Sequence, residues 1–251
     1  MKIKFSAILL ALISITALPV AAQFEGEINY MVYYPQQSED NRLNVELSIT
    51  KDRVFVRSNA TMDVMAGLKT TGVLVRNDHQ DFVLMTEGGD GIKVQKSELD
   101  NIVNLVNRMQ GKQTNAERER FRWDERVEET GNTREIQGYE TSEFRLKGDN
   151  ENEFVSVWLT DQIKVKWGLL LDAWYDAGAA QFEEDIPIEL VMNNYSFPLL
   201  VEAYRNGEIV MSGSVTSVES GNVDRSRTEV PSDVKLLGIT EIMMNMFMQN
   251  R

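Results

Sequence analysis

The chain contains no cysteine and a single histidine, His79. The first absence excludes disulfides, thiol catalysis and thiolate metal sites; the second excludes histidine-rich zinc centres. His79 stands in a polar stretch, Asn77-Asp78-His79-Gln80, where a side chain is solvated, yet any Ser-His-Asp triad would have to use it. No Gly-x-Ser-x-Gly elbow occurs, and Ser212-Gly213-Ser214 lies within a strand pattern rather than at a strand–helix turn. Asp149-Asn150-Glu151-Asn152-Glu153 has ligand types suited to a hard cation but lacks the EF-hand spacing and its glycine. No metal or cofactor is expected. Basic residues are also scarce, 26 Lys and Arg against 39 Asp and Glu. Such a surface repels nucleic acid and anionic headgroups, and it favours solubility or a basic partner. Internal repeats and low-complexity linkers are absent.

What the chain does carry begins at its N-terminus. Lys2 and Lys4 precede a mostly apolar run from Ala7 to Leu18, followed by Pro19-Val20-Ala21-Ala22-Gln23. A positive start, a short apolar stretch and small residues at Val20 and Ala22 predict a secretory signal peptide, residues 1–22, cut before Gln23. The run is short for a membrane span, and Pro19 breaks it. No cysteine follows, so no lipid anchor can be attached there. The expected address is the periplasm, as a soluble protein with no transmembrane segment after cleavage. Loss of residues 1–22 leaves 229 residues with 24 basic and 39 acidic side chains, a net charge of −15. A chain of that length can bury a full core without disulfides.

Alternation of period two dominates the mature chain. Phe24, Ile28, Tyr30, Val32 and Tyr34 share one face of a predicted strand; Leu43, Val45, Leu47 and Ile49 share one face of the next. Lys51-Asp52 turns into Arg53–Arg57, where Val54 and Val56 face away from Arg53, Phe55 and Arg57. Val73–Arg76 and Phe82–Thr86 flank the turn that holds His79. Further strands are predicted at Arg134–Ile136, Tyr139–Leu146 and Glu153–Thr160. The last of these is apolar on both faces and therefore expected to be covered on both sides. The hairpin Leu199–Tyr204, Asn206-Gly207, Glu208–Val218 is the clearest, because Asn-Gly suits a type I′ turn.

Two segments change period. Ser97 caps a predicted helix with apolar positions Leu99, Ile102, Val103, Val106 and Met109, ending at Gly111. A charged crossing, Gln113–Glu129, returns to strand near Val127. Lys166–Ala177 carries Leu169, Leu170, Ala173, Trp174 and Ala177 at helical offsets, and Gly178 ends it. The predicted fold is mainly β (α+β): one large curved antiparallel sheet, an unclosed half-barrel, with two or three helices over its concave face. One domain spans residues 23–240, and a methionine-rich tail or helix spans 241–251.

Trp158, Trp167, Trp174 and Tyr175 crowd into eighteen residues, with Phe55, Tyr30 and Tyr34 on neighbouring strands. Two readings of this aromatic set stand side by side: the wall of a pocket for an apolar ligand, or the core of a sheet–helix sandwich. The first reading assigns Phe55, Trp158, Trp167, Leu170, Trp174 and Tyr175 as ligand-binding residues. Asp172, Asp176, Glu183 and Glu184 are the acids available to a two-carboxylate hydrolase, though i, i+4 spacing puts Asp172 and Asp176 on a solvated helix face. The tail holds Met243, Met244, Met246, Phe247 and Met248, of which Met243, Met244 and Phe247 fit one stripe of a docking helix; thioethers also bind Cu(I).

Near the C-terminus, Phe197-Pro198 leads a strand, Asn206-Gly207 turns it, Ser217-Val218 ends its return, and Gly221-Asn222-Val223-Asp224 precedes Val230-Pro231-Ser232. This succession resembles the closing hairpin and proline exit of the LolA/LolB-like lipoprotein-carrier superfamily. Thr133 to Glu140, followed by Val157-Trp158-Leu159-Thr160, resembles exported proteins of domain of unknown function 4412, with the GLPGLI family nearby. Where that last family has its name-giving motif, this chain has Trp167-Gly168-Leu169-Leu170-Leu171. The resemblance implies a hydrophobic cavity between sheet and helices that takes acyl chains, and hence a non-enzymatic binding module with a lipid or acylated-protein ligand. A fully packed structural protein that contacts an envelope partner is the alternative expectation, and a carboxylate hydrolase the third.

Overall fold

The computed structural model describes residues 23–35, 42–65, 68–99, 127–148, 150, 152–171 and 188–242. The signal segment, most of the Ser97–Gly111 helix, Trp174, Tyr175, the four acids between 172 and 184, and residues 243–251 of the tail lie outside the described residues, as do Asp149 and Glu151.

Strands run in chain order β1 (Gly26–Tyr33), β2 (Arg42–Ile49), β3 (Arg53–Met65), β4 (Leu68–Arg76), β5 (Asp81–Thr86) and β6 (Gly91–Gln95). After the interval to Val127 come β7 (Val127–Ile136), β8 (Tyr139–Lys147), β9 (Phe154–Thr160), β10 (Phe197–Arg205), β11 (Glu208–Ser220) and the short β12 (Leu236–Gly238). They form one twelve-stranded sheet in the order β12-β6-β5-β4-β3-β2-β1-β11-β10-β9-β8-β7. The edges β12 and β7 do not meet, so the sheet is open. Every ladder is antiparallel except β12 on β6, which is parallel.

Two hairpins turn on residue pairs in the left-handed region. Asn206 and Gly207 have φ of 53° and 79°, and Gln137 and Gly138 have 53° and 81°. Positive φ at both central residues matches the twist of the flanking strands, as a type I′ turn requires.

Register assigns the faces. Tyr30 pairs with both Val45 and Val215, Leu47 with Val56, Val54 with Val75, and Phe82 with Val94. In the other direction Val32 opposes Gly213, which opposes Val201, which opposes Val157. All these residues therefore share one face, here termed inner, and the alternate residues form the outer face. Ile28, Ile49, Val54, Val75 and Val157 are fully buried on the inner side.

Several expectations change in detail. The strand expected at Arg53–Arg57 continues to Met65, and β6 and β12 add an edge that alternation did not disclose. Residues 163–167 are not helical, Gly168 is a turn, and the helical turn starts only at 169. Ile163, Val165 and Trp167 are buried while Lys164 and Lys166 point away, which is strand-like alternation ahead of the helical spacing. Ile163, Val165, Trp167 and Leu169 belong to a cluster that holds residues of β1–β6, β10 and β11, while Val155, Val157 and Leu159 of β9 lie in a second one; residues 172–177 of the predicted helix lie outside the described residues. The outward aromatics of β9 are met by side chains of neighbouring strands: Tyr204 stacks on Phe154 at 4.6 Å, and Arg134 lies 3.8 Å over Trp158.

Gly168 makes the bend between the extended segment and the helical turn. Its φ is +52°, and a Cβ there would sit 2.1 Å from Asn77 Oδ1. Asn77 Nδ2 in turn donates to the Lys166 carbonyl at 3.1 Å. Gly168→Ala should therefore cost about 1–3 kcal/mol through backbone strain and a displaced Asn77. Urea denaturation at neutral pH reads this directly; a change under about 0.5 kcal/mol, the range of an ordinary surface substitution, would contradict it.

Candidate functional site

The inner face supplies an apolar surface, and the 163–169 segment meets it. Three polar contacts pin that segment. Phe24 N donates to the Lys164 carbonyl at 3.1 Å, Asn77 Nδ2 to that of Lys166, and Trp167 N to Asn194 Oδ1 at 3.4 Å. Trp167, 5% exposed, thus enters the same cluster as Ile28, Leu47 and Val215, and Tyr30 and Leu170 pack against it half-buried. Leu99, Leu169 and Ile239 belong to this cluster too.

Two polar atoms within this cluster are unsatisfied. Among the described residues Tyr30 Oη and Trp167 Nε1 are buried without a hydrogen-bond partner; Gln23, Ser48 and Thr70 carry others of this kind elsewhere. Buried polar atoms are nearly always paired, so each exception calls for an explanation. Burial raises the Tyr30 pKa well above its ordinary value, which keeps the phenol a neutral donor at every physiological pH. Both orphaned groups can donate. An acceptor oxygen is what they lack.

The six sequence-assigned binding residues are split between the faces. Trp167 and Leu170 come together on the inner side. Phe55 lies on the outer side with Leu74 and Val83, under the Arg57 guanidinium at 4.2 Å. Trp158 also faces outward, beneath Arg134. Trp174 and Tyr175 fall outside the described residues. Tyr30, named only as a neighbour of the aromatic set, joins Trp167 because period two puts it on the buried face of β1.

The outer face of β7–β10 holds a polar node that the sequence did not disclose. Glu143, 3% exposed, accepts from Thr130 Oγ1 at 2.9 Å, Asn132 Nδ2 at 2.7 Å, Ser156 Oγ at 2.8 Å and Arg145 Nε at 2.8 Å. Burial pushes its pKa up, but the hydrogen bonds from Arg145, Asn132, Ser156 and Thr130 outweigh burial and bring it down to about 2. A general acid needs the opposite shift. With four donors already on its two oxygens, this carboxylate fixes the alignment of β7, β8 and β9. The only available signal was Arg145 two residues on, on the same face.

Elsewhere, His79 is exposed in its turn, 3.6 Å from Asp78 Oδ2. Among the described residues no group of three metal-ligating side chains gathers, and no helix is long and apolar enough to cross a membrane. A pocket of about 80 Å³ opens at the strand ends between Gly148, Phe154, Tyr204 and Val210, far below the ~300 Å³ of a small-molecule site.

Comparison with known proteins adds a family and little else. Residues 24–234 match the model of a domain of unknown function, DUF4412. No curated protein matches the chain. Among solved structures it is similar to PNGF-II in two crystal forms, with identities of 12% and 11% and a TM-score of 0.42 in each. The matches cover 86% and 88% of this chain but 31% and 33% of the other, so the chain spans about a third of that protein's length.

Glu143 gives a pH test with a defined sign. Its folded pKa is depressed, so its contribution to stability is fully present above the unfolded value of ~4.3 and is lost as pH falls through about 2. The shift is worth about 3 kcal/mol at neutral pH. Glu143→Gln should lower neutral stability by that order and flatten the acid limb of the stability–pH curve. Denaturant melts between about pH 6 and pH 2 measure both effects, and an acid limb unchanged by the substitution would contradict the assignment.

Proposed function

The chain belongs to the DUF4412 family, and on the chemistry of its inner face we propose that it is a non-enzymatic binding module for an acylated ligand. The observation that carries this reading is the pair of buried, unpartnered donors, Tyr30 Oη and Trp167 Nε1, within one apolar cluster. A fatty acyl chain with an ester or carboxyl oxygen would bury its tail against Ile28, Leu47 and Val215 and give these donors an acceptor. Leaving them empty costs about 1–3 kcal/mol each, which ligand binding would recover in part.

The remainder of the reading completes this site. Helical segments starting at 96 and 169 extend over the inner face and close a half-barrel of the lipoprotein-carrier kind; Leu99 and Leu169 in their first turns already belong to the inner cluster. Leu170, Trp174 and Tyr175 then contribute to the cavity wall, while Phe55 and Trp158 take no part. The protein works in the periplasm after cleavage before Gln23, as a soluble carrier whose ligand is a lipid or an acylated protein. Saturation of Glu143 by four donors speaks against a carboxylate hydrolase centred there.

Protein purified without detergent should carry a bound acyl species in native mass spectrometry. Tyr30→Phe and Trp167→Phe should each weaken binding of a fluorescent fatty acid by about tenfold, the loss of one buried hydrogen bond. A wild-type protein that is clean and takes up no fatty acid, together with a Tyr30→Phe variant that is only more stable, would mean a filled core and a structural protein with an envelope partner.

A further inference from the structure

After β11 the chain does not leave the sheet but crosses its outer face. Gly221 N donates to the Glu25 carbonyl at 3.1 Å, and Asp224 caps a short 3-10 turn, Arg225–Thr228, by accepting from Ser226 N at 3.0 Å. The Arg227 guanidinium then reaches the carboxylates of Glu27 on β1 and Glu46 on β2. Two arginines of β3 hold the backbone of the same turn: Arg57 Nη2 donates to the Arg227 carbonyl at 2.7 Å, and Arg53 Nη1 to that of Thr228 at 3.2 Å. Arg53 is itself held by Asp78 at 2.7 Å. Val230 packs on Phe55, Leu74 and Val83, and the crossing ends in the three-residue pairing of β12 with β6.

The means of attachment differs from that of every other element. Strands β1–β11 are held by long antiparallel ladders and a buried apolar face. Residues 224–238 are held by charged side chains, a few apolar contacts through Val230, Val234 and Leu236, and a parallel ladder of three residues, the weaker kind of pairing. The charged side chains are only partly covered: Arg227, Glu27 and Glu46 are 39%, 22% and 32% exposed. Partly exposed ion pairs are individually weak and are screened by salt. Beneath them lies a dry patch, with Leu74 and Val83 fully buried and Phe55 5% exposed.

We propose that residues 224–238 form an ionic strap that opens locally, without unfolding the sheet, and bares the Phe55–Leu74–Val83 patch when its charge pairs are screened. The charged groups that face Arg227 and its neighbours are Glu27 and Glu46 from below, with Arg53, Arg57 and Asp78 alongside. Screening weakens the attractions that close the strap. For the chain as a whole, with its excess of acids, screening relieves repulsion and favours the folded state. Local opening and global unfolding therefore respond to salt with opposite signs.

The absence of cysteine makes the test clean. Val83→Cys places a single thiol under the strap, and Val75→Cys places one, equally buried, on the inner face. Alkylation by N-ethylmaleimide, an uncharged reagent, is followed in full-length protein from about 0.05 M to about 1 M sodium chloride. Labelling of Val83→Cys should rise about tenfold while Val75→Cys stays slow, and adding Arg227→Gln should make Val83→Cys fast at low salt. Hydrogen exchange of wild-type protein, which needs no variant to fold, should show residues 224–238 exchanging faster in high salt while β3–β5 do not. Equal and salt-independent labelling of both thiols, or strap amides that exchange only together with β3–β5, would overturn the proposal.

Discussion

An open sheet of twelve strands whose inner face carries two large apolar clusters has to be covered, and the rest of the molecule follows from that constraint. Closing the sheet into a barrel would remove its edges, but β12 and β7 do not meet. The inner face therefore depends on chain supplied from outside the ladders, and the extended segment through Trp167 is one such contribution. Burial on this face at ~25 cal/mol per Å² is the main favourable term in a protein that has no disulfide to restrict its unfolded state. Two unpartnered donors amid that surface are costly, which is why they carry the functional reading.

The outer face is organised by a different principle. Arginines lie over aromatic rings of their own or nearby strands and pair with carboxylates: Arg134 on Trp158, Arg57 on Phe55, and Arg145 on both Phe154 and Glu143. In so acidic a chain, a guanidinium neutralises local charge while its flat face packs on an aromatic surface. The strap draws on the same arrangement, using Arg53 and Arg57 to hold backbone carbonyls and Arg227 to join two strands. The two faces thus differ: the inner one is mainly apolar, while the outer one pairs charge with aromatic rings around a small apolar cluster.

Alternation made most of this sheet legible. β1, β2, β8 and the Asn206-Gly207 hairpin follow from period two and turn chemistry alone, and so does the mainly β class. The helix expected from Lys166 begins only at 169: Leu169 and Leu170 fit the helical stripe, but Ile163, Val165 and Trp167 just before them alternate as a strand does. β12 could not be read: three residues in a parallel edge pair leave no periodic trace. The aromatic site was blurred by grouping residues that are close in sequence. Parity already put Phe55 with Arg53 and Arg57, and Trp158 opposite Val157, both away from the inner face. For Glu143 the sequence offers only Arg145 two residues on, because Thr130, Asn132 and Ser156 come from strands that only the fold brings together.

The proposed acyl ligand would bring an acceptor oxygen to Tyr30 and Trp167. The four tryptophans give four indole N–H resonances in a ¹⁵N-labelled sample, and titration with an unlabelled long-chain fatty acid examines the Trp167 donor itself. On the proposed binding, the Trp167 resonance, assigned by its Phe variant, moves downfield as a hydrogen bond forms, while that of outward-facing Trp158 stays in place. A Trp167 resonance that does not move at saturating fatty acid would contradict it.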